Sequence, residues 1–252
     1  MIGEEENRDS RLPDDCRIDV CRKGPYRVTG GIPLATMRIT LDADGYSFGW
    51  NQEKIYPAEP EYILCRCGRS ANKPFCDGIH EKIHFLGTES AGNDPYLALA
   101  ERIDGPTLRL TDALIFCAYA RFCDRAGGIW RLTEESGDRD ARATAIEEAE
   151  QCPSGRLVEW DKSAGEAFEP ALKKTVGAVE YPVEGLSGPL WVCGGIPVFS
   201  AAGIRYEVRN RLTLCRCGHS FNKPFCDSSH LRWSGNRPLP PMALKIPGPV
   251  PE

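Results

Sequence analysis

The chain has 252 residues, among them 12 cysteines and 4 histidines, and a formal net charge of −5. That acidic balance argues against a chain-wide nucleic-acid footprint, which is normally basic. The longest apolar stretch, residues 113–120, falls well short of the roughly 20 residues that a membrane helix needs.

Residues 1–15 carry Glu4, Glu5, Glu6, Asp9, Asp14 and Asp15 against Arg8 and Arg11 and read as a solvated acidic tail. They lack the apolar core of a secretory signal, so the expected compartment is the cytoplasm, where thiols stay reduced. There, twelve cysteines read as metal sites before they read as disulfides. Residues 16–95 form a first β-rich unit, with strands on either side of the Asp44-Gly45 turn. In a middle segment, 96–165, a strand is predicted over 107–117 and a helix over 139–151. Ala141, Ala145 and Ala149 mark the inner face of that helix, Glu147, Glu148 and Glu150 face outward, and Pro153 ends it. A second β-rich unit spans 166–236. It begins in a stretch (161–186) read as linker, with a short helix near 170–175, and its IRYEVRNRLTLCRC run alternates as a strand. The proline-rich residues 237–252 are expected to be an extended tail.

The two outer units are copies. CRCGRSANKPFCD at 65–77 and CRCGHSFNKPFCD at 215–227 agree at 11 of 13 positions, and VTGGIP at 28–33 pairs with VCGGIP at 192–197. From Gly30 to Cys65 is 35 residues and from Gly194 to Cys215 is 21, so the first copy carries 14 extra residues between these landmarks. Duplication of one structural unit follows.

Each copy has the spacing C-x-C-x8-C-x3-H: Cys65, Cys67, Cys76 and His80, then Cys215, Cys217, Cys226 and His230. On an extended segment, residues two apart share a face, so the first two cysteines can chelate together. Residues four apart share a helix face, so the third cysteine and the histidine can do so if Asp77 caps a short helix whose N-terminal N–H groups point at the site. Pro74 and Pro224 pre-shape the approach. Two chelating pairs suit a two-iron cluster, one pair to each iron, ahead of a single tetrahedral zinc, for which Cys3His is also an ordinary ligand set.

CRCGRSANKPFCDGIH closely resembles the CDGSH, or NEET, iron–sulfur signature, and the match covers Cys65–His80 and Cys215–His230. Ile79 at a small position and Ser228 at a usual glycine depart from it without removing a ligand. The resemblance implies a [2Fe–2S] cluster in each unit, with Cys65/Cys67 and Cys215/Cys217 on the inner irons and Cys76/His80 and Cys226/His230 on the outer ones. It also implies an α+β, β-rich fold in which the two units build an intramolecular pseudo-dimer with a shared β-cap, the GGIP segments belonging to its strands, so that the chain can be monomeric. One imidazole among three thiolates favours reduction relative to four thiolates, and its titration can couple to reduction or loosen the outer iron. Lys73 and Lys223 are candidates for tuning that potential, or ordinary solvated lysines.

In the middle segment, Cys117, Cys123 and Cys152 give a loop pair, a helix and a Cys-Pro. This layout resembles a divergent single-cluster 4Fe–4S ferredoxin domain over roughly 107–160. Ala120 occupies the position of a further ferredoxin cysteine. Three thiolates fit [3Fe–4S], whereas [4Fe–4S] needs Asp124, another side chain or solvent. Cys16, Cys21 and Cys193 show no partner pattern and read as small buried residues or incidental thiols. His84 reads as structural or exposed, His219 as a surface residue, and Trp130, Trp160 and Trp191 as packing residues.

No catalytic nucleophile and no Gly-rich nucleotide loop emerge. Three readings follow: an electron carrier with three clusters serving redox partner proteins, an iron–sulfur cluster carrier or redox sensor serving apo acceptors, and a zinc-stabilised interaction module.

Overall fold

The computed structural model describes residues 16–181, 186–234 and 237–238. The acidic tail and residues 239–252 of the proline-rich tail lie outside the described residues. The elements in chain order are β1 (Arg17–Val20), β2 (Tyr26–Thr29), β3 (Leu34–Leu41), β4 (Ser47–Ile55), β5 (Glu61–Leu64), α1 (Ile79–Lys82), α2 (Tyr96–Leu99), β6 (Glu101–Asp104), β7 (Leu108–Asp112), α3 (Ile129–Glu134), α4 (Arg139–Gln151), β8 (Leu157–Asp161), β9 (Thr175–Glu180), β10 (Ser187–Cys193), β11 (Val198–Phe199), β12 (Arg211–Leu214), β13 (Trp233–Ser234) and β14 (Arg237–Pro238). The last two form a short hairpin.

Two mixed sheets, in the orders β11-β1-β2-β5 and β12-β10-β9-β3-β4, each draw strands from both copies of the repeat. The strand after each GGIP segment crosses over. β3 runs parallel to β9, from Leu34↔Val176 to Arg38↔Glu180, and β11 runs parallel to β1, with Ile18↔Val198 and Asp19↔Phe199. The GGIP glycines are therefore turns rather than strand residues, which corrects the reading above. Gly30 and Gly194 have φ of 90° and 77°, and a Cβ on either would lie 2.5 Å from backbone of the same unit, Cys16 Cα and Lys174 N. The 14 extra residues of the first copy are accommodated by the β3–β4 hairpin. Asp42 Oδ1 accepts from Asp44 N and Tyr46 N at 3.0 and 2.8 Å to close its turn. One core joins both sheets through Ile18, Val28, Leu64, Val176, Leu190, Val192 and Leu214. Each such side chain contributes roughly 1.5–3 kcal/mol on burial.

The middle segment is an antiparallel β6-β7-β8 sheet with α3 and α4 packed on it around Leu108, Leu110, Ile129, Ala145, Ala149 and Leu157. Asp138 caps α4, accepting from Asp140 N and Ala141 N, and Cys152 is its C-terminal cap. Arg211 on β12 docks this segment against the second unit. Its buried guanidinium donates to the Ala149, Cys152 and Leu157 carbonyls and pairs with Glu169.

Four expectations need correction. The strand predicted over 107–117 stops at Asp112, and Leu114–Phe116 form a 3-10 turn. Residues 170–174 contain no helix, and β9, placed in a linker by the sequence reading, is the central strand of a sheet, with every inner residue buried. Its small residues Gly177 and Ala178 hide the alternation that would have marked it. Residues 204–210 form no strand beyond a single bridge of Arg205 to Phe199, and the strand of this run is Arg211–Leu214. Glu148 faces inward.

Glu148 lies three residues past Ala145 on the same face of α4, fully buried, with Arg125 Nε at 3.9 Å. Burial pushes its carboxyl up to about 8, against a weaker pull from Arg125, while Asp124 and Glu147 raise it further. A raised carboxyl stabilises the fold below its unfolded value of 4.5, and that contribution is lost as pH rises through 8. Glu148→Gln is therefore expected to raise the melting temperature at pH 8 and leave it unchanged at pH 4. The gain should be at most about 1.4 kcal/mol per pH unit across the window. Equal effects at both pH values in thermal unfolding would contradict this.

Candidate metal centres

Each CDGSH-like loop folds back on the strand that leads into it. Cys65 N donates to Pro74 O at 2.8 Å and Cys76 N to Ile63 O at 3.1 Å. In the second copy Cys215 N donates to Pro224 O at 2.8 Å and Cys226 N to Thr213 O at 2.9 Å. Ser70 and Ser220 donate across the turn to Phe75 O and Phe225 O at 2.6 and 2.7 Å. Both Lys–Pro peptides are cis.

The fold brings the eight predicted ligands together as pairs. The Sγ atoms of Cys65 and Cys67 lie 3.8 Å apart, and those of Cys215 and Cys217 3.6 Å. Cys76 Sγ sits 3.3 Å from His80 Nδ1, and Cys226 Sγ 3.5 Å from His230 Nδ1. All twelve cysteines are free thiols. Within each C-x-C pair one thiol shares its proton with the other. The neighbouring Cys67 thiol holds Cys65 down to about 5, helped by the N–H groups of Ser70 and Gly68, and the same contact pushes Cys67 up. In the second copy Cys215 is held at about 6 by Cys217, again with turn N–H groups assisting. Concave turns of backbone N–H thus favour the thiolate form that binds metal.

The helix argument needs correction. α1 has only four residues, and its cap is Gly78 at φ 82° rather than Asp77. Asp77 instead clamps the loop, accepting from Ala71 N at 2.8 Å and Ile79 N at 3.1 Å. Asp227 does the same with Phe221 N and Ser229 N. There the segment Ser229–Arg232 is a 3-10 turn. Ser228 takes the left-handed conformation of Gly78, at φ 67°.

The two loops touch. A Cβ on Gly68 would lie 2.4 Å from Cys217 O, and one on Gly218 would lie 2.8 Å from Cys67 O. Tyr26 Oη on β2, fully buried, reaches Cys215 O at 2.9 Å and Pro224 O at 3.1 Å. Between the cysteines of each C-x-C, a buried arginine holds neighbouring carbonyls. Arg66 donates to Cys21 O, Gly24 O and Gly87 O at 2.9, 2.7 and 2.7 Å. Arg216 donates to Gly188 O and Val179 O, and to Glu180 Oε1 at 2.8 Å.

The third set also converges. Cys117, Cys123 and Cys152 line one cavity of about 460 Å³ with Asp124, Trp130, Ser154 and Arg156. Its loop carries three non-glycine residues in the left-handed region, Tyr119, Arg121 and Ala126, which is strain of the kind that functional loops hold. Burial pushes the Cys117 and Cys123 thiols up. Arg156, held bidentately by Asp112 at 2.5 and 2.7 Å, eases both. Asp124 pairs with Arg121 Nε at 2.7 Å while its other oxygen lies 3.7 Å from Cys123 Sγ.

Among the described residues, no three His, Cys, Asp or Glu side chains converge on one ion position. Cys16 and Cys193 are buried, as expected of packing thiols. Cys21 is half-buried near the first site, where a Cβ on Gly24 would contact both Cys21 Cβ and His80 Nε2. His84 is exposed, His219 is half-buried rather than at the surface, and Trp191 stacks on Trp50. Trp130 and Trp160 use their N–H groups on Asp112 and Thr111. Lys73 is exposed, whereas Lys223 is half-buried and donates to Ser220 O. The pairing of arginine with cysteine in both C-R-C triplets was a visible signal of the buried cations that sequence reasoning passed over. Tyr181, described below, carried no such signal.

Gly68→Ala or Gly218→Ala forces a Cβ against a backbone carbonyl in a left-handed residue. Each is expected to cost more than about 1–2 kcal/mol and to lower iron content at both outer sites. Gly78→Ala, with φ 82° but nothing within 4 Å, should cost only the conformational part. Thermal unfolding and iron analysis of the three variants check this, and equal losses in all three would contradict it.

Comparison with known families gives two assignments. The family described as iron-binding zinc finger CDGSH type matches residues 23–81 and 187–231, and the divergent 4Fe-4S mono-cluster family matches residues 103–162. Neither the curated proteins nor the solved structures give a match. The chain is an iron–sulfur protein in which two CDGSH-type iron-binding regions flank a divergent 4Fe–4S mono-cluster domain.

Proposed function

We propose that this protein transfers single electrons, with a [2Fe–2S] cluster in each CDGSH region and a [3Fe–4S] or [4Fe–4S] cluster in the middle cavity. Cys65/Cys67 and Cys215/Cys217 hold inner irons, and Cys76/His80 and Cys226/His230 hold outer irons. Cys117, Cys123 and Cys152 hold the third group, with Asp124 beside its remaining position. Such clusters, when bound, take up and release one electron without moving atoms. The observation that carries the reading is the pairing of free ligands: two thiols at 3.8 and 3.6 Å, and a thiol and imidazole at 3.3 and 3.5 Å. Two pairs suit two irons, whereas zinc needs four donors around one point.

In this reading the two units form an intramolecular pseudo-dimer with a shared β-cap, which the reciprocal parallel pairings β3–β9 and β1–β11 support. The domain limits are those of the repeat: 16–95, 96–165 and 166–236. No helix among the described residues is long and apolar enough to cross a membrane, and we place the protein in the cytoplasm with redox proteins as partners. A second reading, delivery of a cluster to apo acceptors or redox sensing, is favoured at the first site alone. There the His80 side chain is 13% exposed beside Glu81, whereas His230 is buried.

Anaerobic purification with iron, sulfide and zinc analysis, followed by EPR of the oxidised and reduced protein, tests this. Repeated reduction and reoxidation with iron retained is the expected result. A colourless zinc protein would overturn the cluster assignment, and loss of iron to an apo acceptor, slowed by His80→Cys, would favour delivery.

A further inference from the structure

The second CDGSH site and the middle site share their walls. Asp227 and Ser228, directly after Cys226, line the middle cavity. Tyr181, buried at the end of β9, donates from Oη to Ala118 O at 2.5 Å and lies 3.1 Å from His230 Nε2. Ala118 follows Cys117. With Nδ1, which faces Cys226 Sγ, on the outer iron as the cluster assignment has it, Nε2 carries the ring proton and donates it to Tyr181 Oη, whose own proton is committed to the Ala118 carbonyl. Two hydrogen bonds therefore join a ligand of one site to the ligand loop of the other. Asn222 Nδ2 adds a bond to Ile115 O at 3.1 Å, and Phe116 packs edge-on to Phe225 at 5.2 Å.

The first site faces elsewhere. His80 Nε2 lies 4.0 Å from Glu81, with its side chain partly in solvent. The first site's link to the rest is the backbone contact of Gly68 with Cys217 and of Gly218 with Cys67, which joins a ligand of the first site to a ligand of the second. The second site thus touches both others.

We propose that the three sites form one linear relay in the order middle, second, first. Tyr181 is the positioning residue that fixes His230 against the middle site, and the first site is the end at which electrons pass to or from a partner. This rests on the cluster assignment of the preceding section. Each transfer moves one electron and no atom: one centre is oxidised by one unit as its neighbour is reduced by one. A one-electron redox protein at the first site and a second one-electron donor or acceptor at the middle site close the balance, one reduced for each electron the other gives up. Hydrogen bonding from Nε2–H to the phenol oxygen makes the imidazole a stronger donor to iron, which lowers the potential of that site.

The test uses the full-length holoprotein, with the two [2Fe–2S] signals assigned by His80→Cys and His230→Cys, each moving one signal. Electron spin relaxation should be faster for the second-site signal when the middle cluster is paramagnetic, while the first-site signal responds to the second site. Tyr181→Phe should keep its iron, raise the midpoint potential of the second site alone and slow flash-initiated transfer between middle and second sites by tenfold or more. Faster relaxation at the first site than at the second would overturn the relay, and so would a Tyr181→Phe shift in both potentials or in neither. The relaxation measurement decides even if Tyr181→Phe fails to fold. Absence of both [2Fe–2S] signals would overturn the cluster assignment itself, and the relay with it. Presence of all three clusters with the wrong coupling pattern would overturn the relay only.

Discussion

Two cysteine loops from distant parts of the chain meet backbone to backbone because Gly68 and Gly218 carry no side chain at the point of contact. Much of the architecture serves that contact. The strand after each GGIP turn leaves its own unit and completes the other's sheet, so neither sheet is whole without both copies. Tyr26 reaches from one copy to the ligand loop of the other. A shared apolar core with side chains from both copies then holds the loops together.

Three thiolates in a partly buried site would pose an electrostatic problem, and the loops carry fixed dipoles and buried cations that would ease it. Turn N–H groups point at Cys65 and Cys215. Arg66 and Arg216 lie between the paired cysteines, sequestered from water. Arg66 has carbonyl partners, whereas Arg216 also has Glu180. A buried guanidinium is costly without a compensating anion, and thiolates with a cluster would provide one.

The legible part of this molecule was the part written twice. Identical spacing in two copies marked the eight side chains that the fold brings together in pairs, and the Asp44-Gly45 turn and α4 could be read from local chemistry. Long-range causes left little trace. β9 has a glycine and an alanine where alternation would announce a strand, because its neighbours on both sides fill the space. Glu148 reads as solvent-facing until a distant loop brings Arg125 over it. The strand crossover could not be read either, since nothing in a GGIP turn states which sheet the next strand will join. Tyr181 acquires its role only when β9 places it beside a histidine 49 residues away.

The two copies are also not equivalent. One histidine is buried against a tyrosine whose hydroxyl reaches the loop of the middle cysteines, and the other reaches solvent, so duplicated sequence has yielded two different environments. The claim beneath all of this is that each Cys3His set binds iron through Nδ1 of a single histidine. Pulsed EPR of the reduced protein with 15N-labelled histidine addresses it directly. Strong coupling to one histidine nitrogen in each of two [2Fe–2S] signals, and none in the signal of the middle site, is the predicted result. Two signals without histidine coupling, or coupling to two histidines in one signal, would contradict it.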